Sequence, residues 1–232
     1  MEKEREDVMK VHLQREIDRL KQKILLMAGD VETAMQKAIR SLREGDRTLA
    51  QSVIDNDRRI DVYEVEIEEE CLKILALHQP VAIDLRFVVA VLKINNDLER
   101  IADMAVNTAE RVIDLTQASR LPIPDQLTIM VDVTQSMLKR SLDALVNMDT
   151  ELARAVITDD DILDDLHSQM YALVEVGINA DPAQTACQIN LLSISRQLER
   201  TGDLVTNIAE DVIYMVEGEI VRHKTRDAKH SQ

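Results

Sequence analysis

Residues 98–110 read Leu-Glu-Arg-Ile-Ala-Asp-Met-Ala-Val-Asn-Thr-Ala-Glu, and residues 198–210 read Leu-Glu-Arg-Thr-Gly-Asp-Leu-Val-Thr-Asn-Ile-Ala-Glu. The two stretches keep Leu98/Leu198, Glu99/Glu199, Arg100/Arg200, Asp103/Asp203, Asn107/Asn207 and Ala109-Glu110/Ala209-Glu210 in one register. A second match lies upstream. Asp46-x-x-Leu49-Ala50-x-x-Val53-Ile54-x-x-Asp57-x-x-Ile60-Asp61 recurs as Asp149-x-x-Leu152-Ala153-x-x-Val156-Ile157-x-x-Asp160-x-x-Leu163-Asp164. Long spacing and a shared order of segments point to a duplicated unit.

Working outward, the apolar pattern is helical nearly everywhere. Leu13, Ile17, Leu20, Ile24, Ala28, Val31, Met35, Ala38 and Leu42 recur by threes and fours, one buried stripe of a long helix. Gly45 suits a C-terminal cap and Asp46 an N-cap. A second helix is predicted over 47–77, with Leu49, Val53, Ile60, Ile67, Cys71 and Ile74 facing inward. His78-Gln79-Pro80 ends it, with Pro80 in the first turn of a third helix over 81–118. Leu121-Pro122-Ile123-Pro124 reads as a linker. Helices over 125–148, 150–178 and 183–222 follow, with Asp149 and Asp181-Pro182 as start signals and a polar tail from His223. Short connections favour antiparallel neighbours. The expected fold is all-α: two pseudo-symmetric antiparallel three-helix bundles, residues 1–120 and 121–232.

Composition narrows the function. The 232 residues carry 43 acidic and 28 basic side chains, a formal net charge of −15, and only 2% aromatics. Phosphate backbones repel such a chain, and it has few rings on which bases could stack. Anionic membrane surfaces are disfavoured as well. The longest uncharged apolar stretch, around Phe87 to Leu92, is far short of a membrane span. The charged segment MEKEREDVMK is expected not to be a secretory signal. Cys71 and Cys187 stand apart and read as small buried hydrophobes. Five glycines leave little room for a phosphate-cradling loop, and Walker A, Gly-x-Ser-x-Gly and Glu-x-x-His patterns are missing.

At about 100° per residue, Glu99, Asp103, Asn107 and Glu110 fall on one helix stripe, as do Glu199, Asp203, Asn207 and Glu210. Carboxylates and amide oxygens are hard donors, suited to Mg²⁺, Mn²⁺, Ca²⁺ or iron. The stripe lies opposite Val91, Ile94, Leu98, Ile101, Ala105 and Val112, so a solvated outer face is the competing reading. Retention of the same four residues in both halves, including a mid-helix Asn, favours ligation or docking. Asp84-Leu85-Arg86 could serve function or complement the helix dipole. The runs Asp159-Asp160-Asp161 and Asp164-Asp165 read as a solvated acidic face, and the five histidines as scattered structural or exposed residues. Arg100 and Arg200 are expected to pair with carboxylates on neighbouring helices.

The paired Leu-Glu-Arg-x-x-Asp-x-x-x-Asn-x-x-Glu segments, with Gln79-Pro80-x-Ala82-x-Asp84-Leu85-Arg86 and Leu92-Lys93-Ile94-x-x-Asp97-Leu98-Glu99-Arg100, resemble the PhoU family of bacterial phosphate-transport accessory proteins. The resemblance runs from about residue 10 to 220. It implies a cytoplasmic, often dimeric protein that regulates rather than catalyses. It implies negative control of phosphate uptake and of the phosphate-starvation response, as an adaptor between the ATPase subunit of an ABC phosphate transporter and a sensor histidine kinase. Nucleic acid and membrane insertion have no part in it. It implies metal at Glu99-x-x-x-Asp103 and Glu199-x-x-x-Asp203, of undefined identity, with Fe, Mn, Mg or Zn open. Gln184 and Ala186 replace Asp84 and Arg86 in the second half, which confines any role of that segment to the first. A metal-free helical scaffold is the alternative. A metal-dependent phosphohydrolase is a further one, opposed by the lack of a base beside either stripe.

Overall fold

The structure, a computed structural model, describes residues 2–117 and 122–221. The helices are α1 (Glu2–Glu44), α2 (Arg47–Asn56), α3 (Arg58–His78) and α4 (Ala82–Gln117), then α5 (Asp125–Asn147), α6 (Thr150–Ile157), α7 (Asp160–Ala180) and α8 (Thr185–Glu217). A short 3-10 turn, Pro182–Gln184, precedes α8. There is no strand among the described residues. The all-α duplicated architecture is as expected. In each half, one long helix, a broken pair acting as one helix, and a second long helix pack around a shared core.

Helix boundaries follow local chemistry. Gly45 takes a left-handed φ of 65° after α1, and the Asp46 carboxylate accepts from the Leu49 amide at 3.0 Å. Asp149 does the same for Leu152 at 3.0 Å, after Met148 in the left-handed region. Asp181 accepts from the Ala183 amide at 3.1 Å.

Four boundaries differ from the sequence reading. The second and fifth helices are each broken, after Asn56 and after Ile157. Side chains there bond backward to the backbone: Asn56 Nδ2 donates to the Ser52 carbonyl at 2.6 Å and Thr158 Oγ1 to that of Ala155 at 2.8 Å. Such bonds compete with the helical ladder. Pro80 lies buried in the loop rather than in α4, which starts at Ala82. The last helix stops at Glu217, where Gly218 supplies φ 74° and donates its amide to the Tyr214 carbonyl. The tail from His223 and the linker residue Leu121 lie outside the described residues.

The two long helices α4 and α8 run side by side at the centre. Lys93 Nζ meets Asp211 Oδ1 at 3.1 Å, the Arg86 guanidinium lies against Gly218, and Val112 lines a small cavity with Leu191. Numbers rise on α4 as they fall on α8, so the pair is antiparallel. That register sets Ala102 level with Gly202, and Glu99 and Asp103 level with Asp203 and Glu199. The expected inward residues Val91, Ile94, Leu98, Ile101, Ala105 and Val112 are all buried in the core. Cys71 and Cys187 are free and buried.

Candidate functional site

The breaks in the second and fifth helices position the site. In the first half, α3 starts just after Asp57 and carries Asp61 and Glu64 one and two turns on. These carboxylates stand opposite Glu99 and Asp103 of α4. Burial pushes the Glu99 carboxyl up, and Asp103, Glu64, Asp61 and Asp57 add to the shift. Asp103 is raised by burial and by Asp61. Asp57 is raised by burial, then by Asp61 and Asp103. Mutual influence of this kind requires the groups to share one region.

The second half repeats the arrangement with α7 and α8. Burial pushes the Asp160 carboxyl up to about 7, helped by Asp203, Asp164, Asp161 and Glu199. Glu199 is raised by burial, Asp203 and Asp164, against the opposing pull of Arg196 and Arg200. Gly202 allows this approach. A Cβ there would meet Leu163 Cδ1 at 2.4 Å and Asp160 Oδ1 at 3.1 Å. The first half has Ala102 at the matching position.

The clusters differ at one place. Glu64 in the first corresponds to His167 in the second. In both halves the residue is tied to the central helix. Asn95 Nδ2 donates to the Glu64 carbonyl at 2.9 Å, and His167 Nδ1 lies 2.9 Å from the Ser195 hydroxyl. Burial and Arg196 push the His167 pKa down, and Asp164 opposes them.

The predicted stripes are thus only partly the site. Glu99 and Glu199 are half-buried, Asp103 and Asp203 exposed, and all four face carboxylates of the broken helix. Asn107 and Asn207, both half-buried, lie one turn further on. Glu110 lies about 16 Å along the helix from Glu99 and about 10 Å from Asp103, too far to share one ion with them. It sits 3.6 Å from Arg111. Glu210 is placed equivalently on α8.

Three expectations are corrected. His167, expected as one of the scattered structural or exposed histidines with no base beside either stripe, stands in the second cluster. Asp160 and Asp164 are not merely a solvated face but part of the second cluster. Arg100 pairs with Asp97 on its own helix, at 3.8 Å, rather than with a neighbouring helix. Among the remaining histidines, His78 Nε2 lies 2.8 Å from Glu16, and His12 is exposed. His223 and His230 lie outside the described residues. Asp84 is half-buried in the first turn of α4 and Leu85 exposed.

Sequence reasoning missed Asp57, Asp61 and Glu64, and with them Asp160, Asp164, His167 and Gly202. A signal existed for the aspartates, because Asp57 and Asp61 recur as Asp160 and Asp164 in the duplicated segment.

The donor set fits a hard cation. Each cluster gathers carboxylates whose ionisation the fold opposes, and a bound cation would relieve that. The side chains are not preset for it: among the described residues, no three Asp, Glu, His or Cys groups already grip one point.

The duplicated all-helical bundle is an architecture that known proteins share. The family model described as "PhoU domain" matches twice, at residues 24–112 and 127–212, so the chain belongs to the PhoU family. It is 36% identical over 210 residues to the "Phosphate-specific transport system accessory protein PhoU homolog" of Aquifex aeolicus, covering 90% of this chain and 95% of that one. It is 31% identical over 217 residues to homolog 1 of Thermotoga maritima, covering 93% and 94%. The crystal structure of PhoU from Pseudomonas aeruginosa superposes with a TM-score of 0.86 at 34% identity, covering 89% of this chain and 99% of that one. The phosphate transport system regulatory protein PhoU from Streptococcus pneumoniae gives 0.78 at 30%, covering 90% and 99%. No helix among the described residues is long and apolar enough to cross a membrane.

Proposed function

We propose that this chain is an accessory regulator of phosphate transport, a cytoplasmic homodimeric adaptor rather than an enzyme. It holds down phosphate uptake and the phosphate-starvation response by linking the ATPase subunit of an ABC phosphate transporter to a sensor histidine kinase. The observation that carries the reading is the PhoU likeness across both halves, over the full arrangement of helices. The clusters supply the chemistry. Asp57, Asp61, Glu64, Glu99 and Asp103 would hold a divalent or iron-type cation in one half, and Asp160, Asp164, His167, Glu199 and Asp203 in the other. Asn107, Glu110, Asn207 and Glu210 would extend each stripe. A bound cation would offset part of the negative field and let an acidic or phosphate-bearing partner surface approach. The imidazole in the second cluster suits Fe or Zn better than the all-oxygen first cluster does.

The test is a deletion strain carrying a phosphate-responsive reporter. The intact gene should restore repression in high phosphate. The quadruple substitution of Glu99, Asp103, Glu199 and Asp203 by Ala should fail to restore it while the protein remains folded and abundant. Constitutive repression without the gene would overturn the regulatory reading. Full complementation by the quadruple variant would overturn the role of the clusters.

A metal-free scaffold is the second reading, favoured by the open spacing of the carboxylates. It predicts no saturable heat with Mg²⁺, Mn²⁺ or Fe²⁺ and undiminished recovery of partners.

A further inference from the structure

The joint between the halves turns both carboxylate clusters to one face. A two-fold axis that exchanges two neighbouring antiparallel helices runs perpendicular to them and to the line between them. Equivalent groups on α4 and α8 therefore lie on the same side of the pair. Lys93 with Asp211 and Arg86 with Gly218 both fit such an axis, centred where Ala102 is level with Gly202. At about 100° per residue from Glu99, Lys93 and Arg86 fall at about 120° and 140° and mark the direction of α8. Arg100 and Asn107 fall at about 100° and 80°, on the rim of the joint nearest Asp103 at about 40°. The same count from Glu199 sets Arg200 and Asn207 on the facing rim of α8.

These four residues form one row across the joint. By level along the pair the order is Asn207, Arg100, Arg200, Asn107, alternating between α8 and α4, in steps of about 4.5, 6 and 4.5 Å. Packed helix axes lie about 8–10 Å apart, so two long arginine side chains on facing rims can meet over the centre. Both arginines are exposed and both asparagines half-buried. Every side chain in the row can present N–H donors. Asp103 and Asp203 stand on either flank, between the row and the clusters.

The bundle does not use these donors. The side chains of Arg200, Asn107 and Asn207 make no hydrogen bond or ion pair among the described residues. Arg100 approaches Asp97 only at 3.8 Å, against about 2.7–2.9 Å for a charge-assisted hydrogen bond. In the second half Gln197 replaces Asp97 and the arginine is still present, so pairing with Asp97 does not account for it. Asparagine is a mediocre residue inside a helix, yet it recurs here with its amide unused. We propose that the row Asn207, Arg100, Arg200, Asn107 is an anion site that binds a phosphate group, the two guanidiniums gripping its oxygens and the two amides donating from either end. The proposal rests on the cation reading in one respect. Asp103 and Asp203 compete for the arginines until bound cations hold them, so loading the clusters strengthens phosphate binding. The regulator then responds to a phosphate group directly, through its own residues.

The experiment is calorimetric titration of inorganic phosphate into the full chain, with its metal content measured, and again after chelation. A phosphoserine peptide is titrated in parallel, and the tighter of the two identifies free phosphate or a phosphorylated partner as the source of the group. The cation-loaded wild type should bind saturably, at least about tenfold more tightly than the chelated chain. R100Q/R200Q should weaken binding at least about tenfold, with metal content and circular dichroism unchanged, and N107A/N207A should weaken it less. A cation-loaded wild type that binds neither probe overturns the site and leaves the cation reading standing. Undiminished binding in R100Q/R200Q assigns the phosphate to the cations alone and also overturns the site. Binding to a wild type that holds no cation, lost in R100Q/R200Q, overturns the cation reading and leaves the site standing. A chain that holds no cation and binds no phosphate overturns both.

Discussion

Asp160 shows what single residues contribute here. Its folded pKa of about 7 lies above the unfolded value of 3.8. A carboxyl raised on folding favours the folded state only while it stays protonated. Its penalty is absent below about pH 4, grows as pH rises, and is complete above about pH 7. Asp160→Asn should therefore stabilise the metal-free protein at pH 8 by about 1–2 kcal/mol after allowing for solvent screening, and do little at pH 4. Thermal melts of both proteins in chelator across that range check this. An unchanged difference between the two pH values would contradict it. Glu99 and Asp103 were legible as candidates because the repeat displays them. Their partners across the helix pair were not, because periodicity orders residues around one helix and says nothing of the distance to the next. His167 was harder still, since it stands where the first half has Glu64.

At the scale of elements, the caps and the breaks divide the labour. Asp46 and Asp149 each accept one amide hydrogen bond at a helix start, so either changed to Ala should lower stability by about 0.5–2 kcal/mol in urea denaturation. Such caps are readable from sequence because the requirement is local. The breaks after Asn56 and Ile157 were not, because the apolar spacing runs on through them. Gly202 matters through the approach of α7 to α8. An Ala there would push on Leu163 and crowd Asp160. Because the Leu163 methyl can swing aside, G202A should cost about 1–3 kcal/mol. It should displace the second cluster's carboxylates and leave the first cluster's titration unchanged, as resolved by NMR of the carboxyl groups. Equal disturbance of both would refute the assignment.

The whole molecule is two copies of one unit joined along α4 and α8, and the joint is not symmetric. Lys93 reaches the buried Asp211 and lies over the Tyr214 ring at 5.2 Å. The equivalent pair is Ser193 and Arg111, and Arg111 instead pairs with Glu110 and Asp114 on its own helix. Lys93→Ala should cost about 1–3 kcal/mol, by removing the cation beside a buried carboxylate. Lys93→Ser, which copies the other half, should not be better tolerated. The duplicated fold was readable in the sequence because two segments repeat in one order. The antiparallel seating of α4 on α8, which sets the two clusters level, depends on contacts between halves that no repeat encodes. The excess negative charge has acquired an address: a share of it is concentrated in two clusters where the fold itself resists ionisation. The most direct test of the account is metal analysis with calorimetry on the purified chain, wild type against the Glu99, Asp103, Glu199 and Asp203 quadruple alanine variant. The account predicts saturable binding of a divalent or iron-type cation at both clusters, lost in the variant. Metal content and binding heats identical in the two proteins would contradict it.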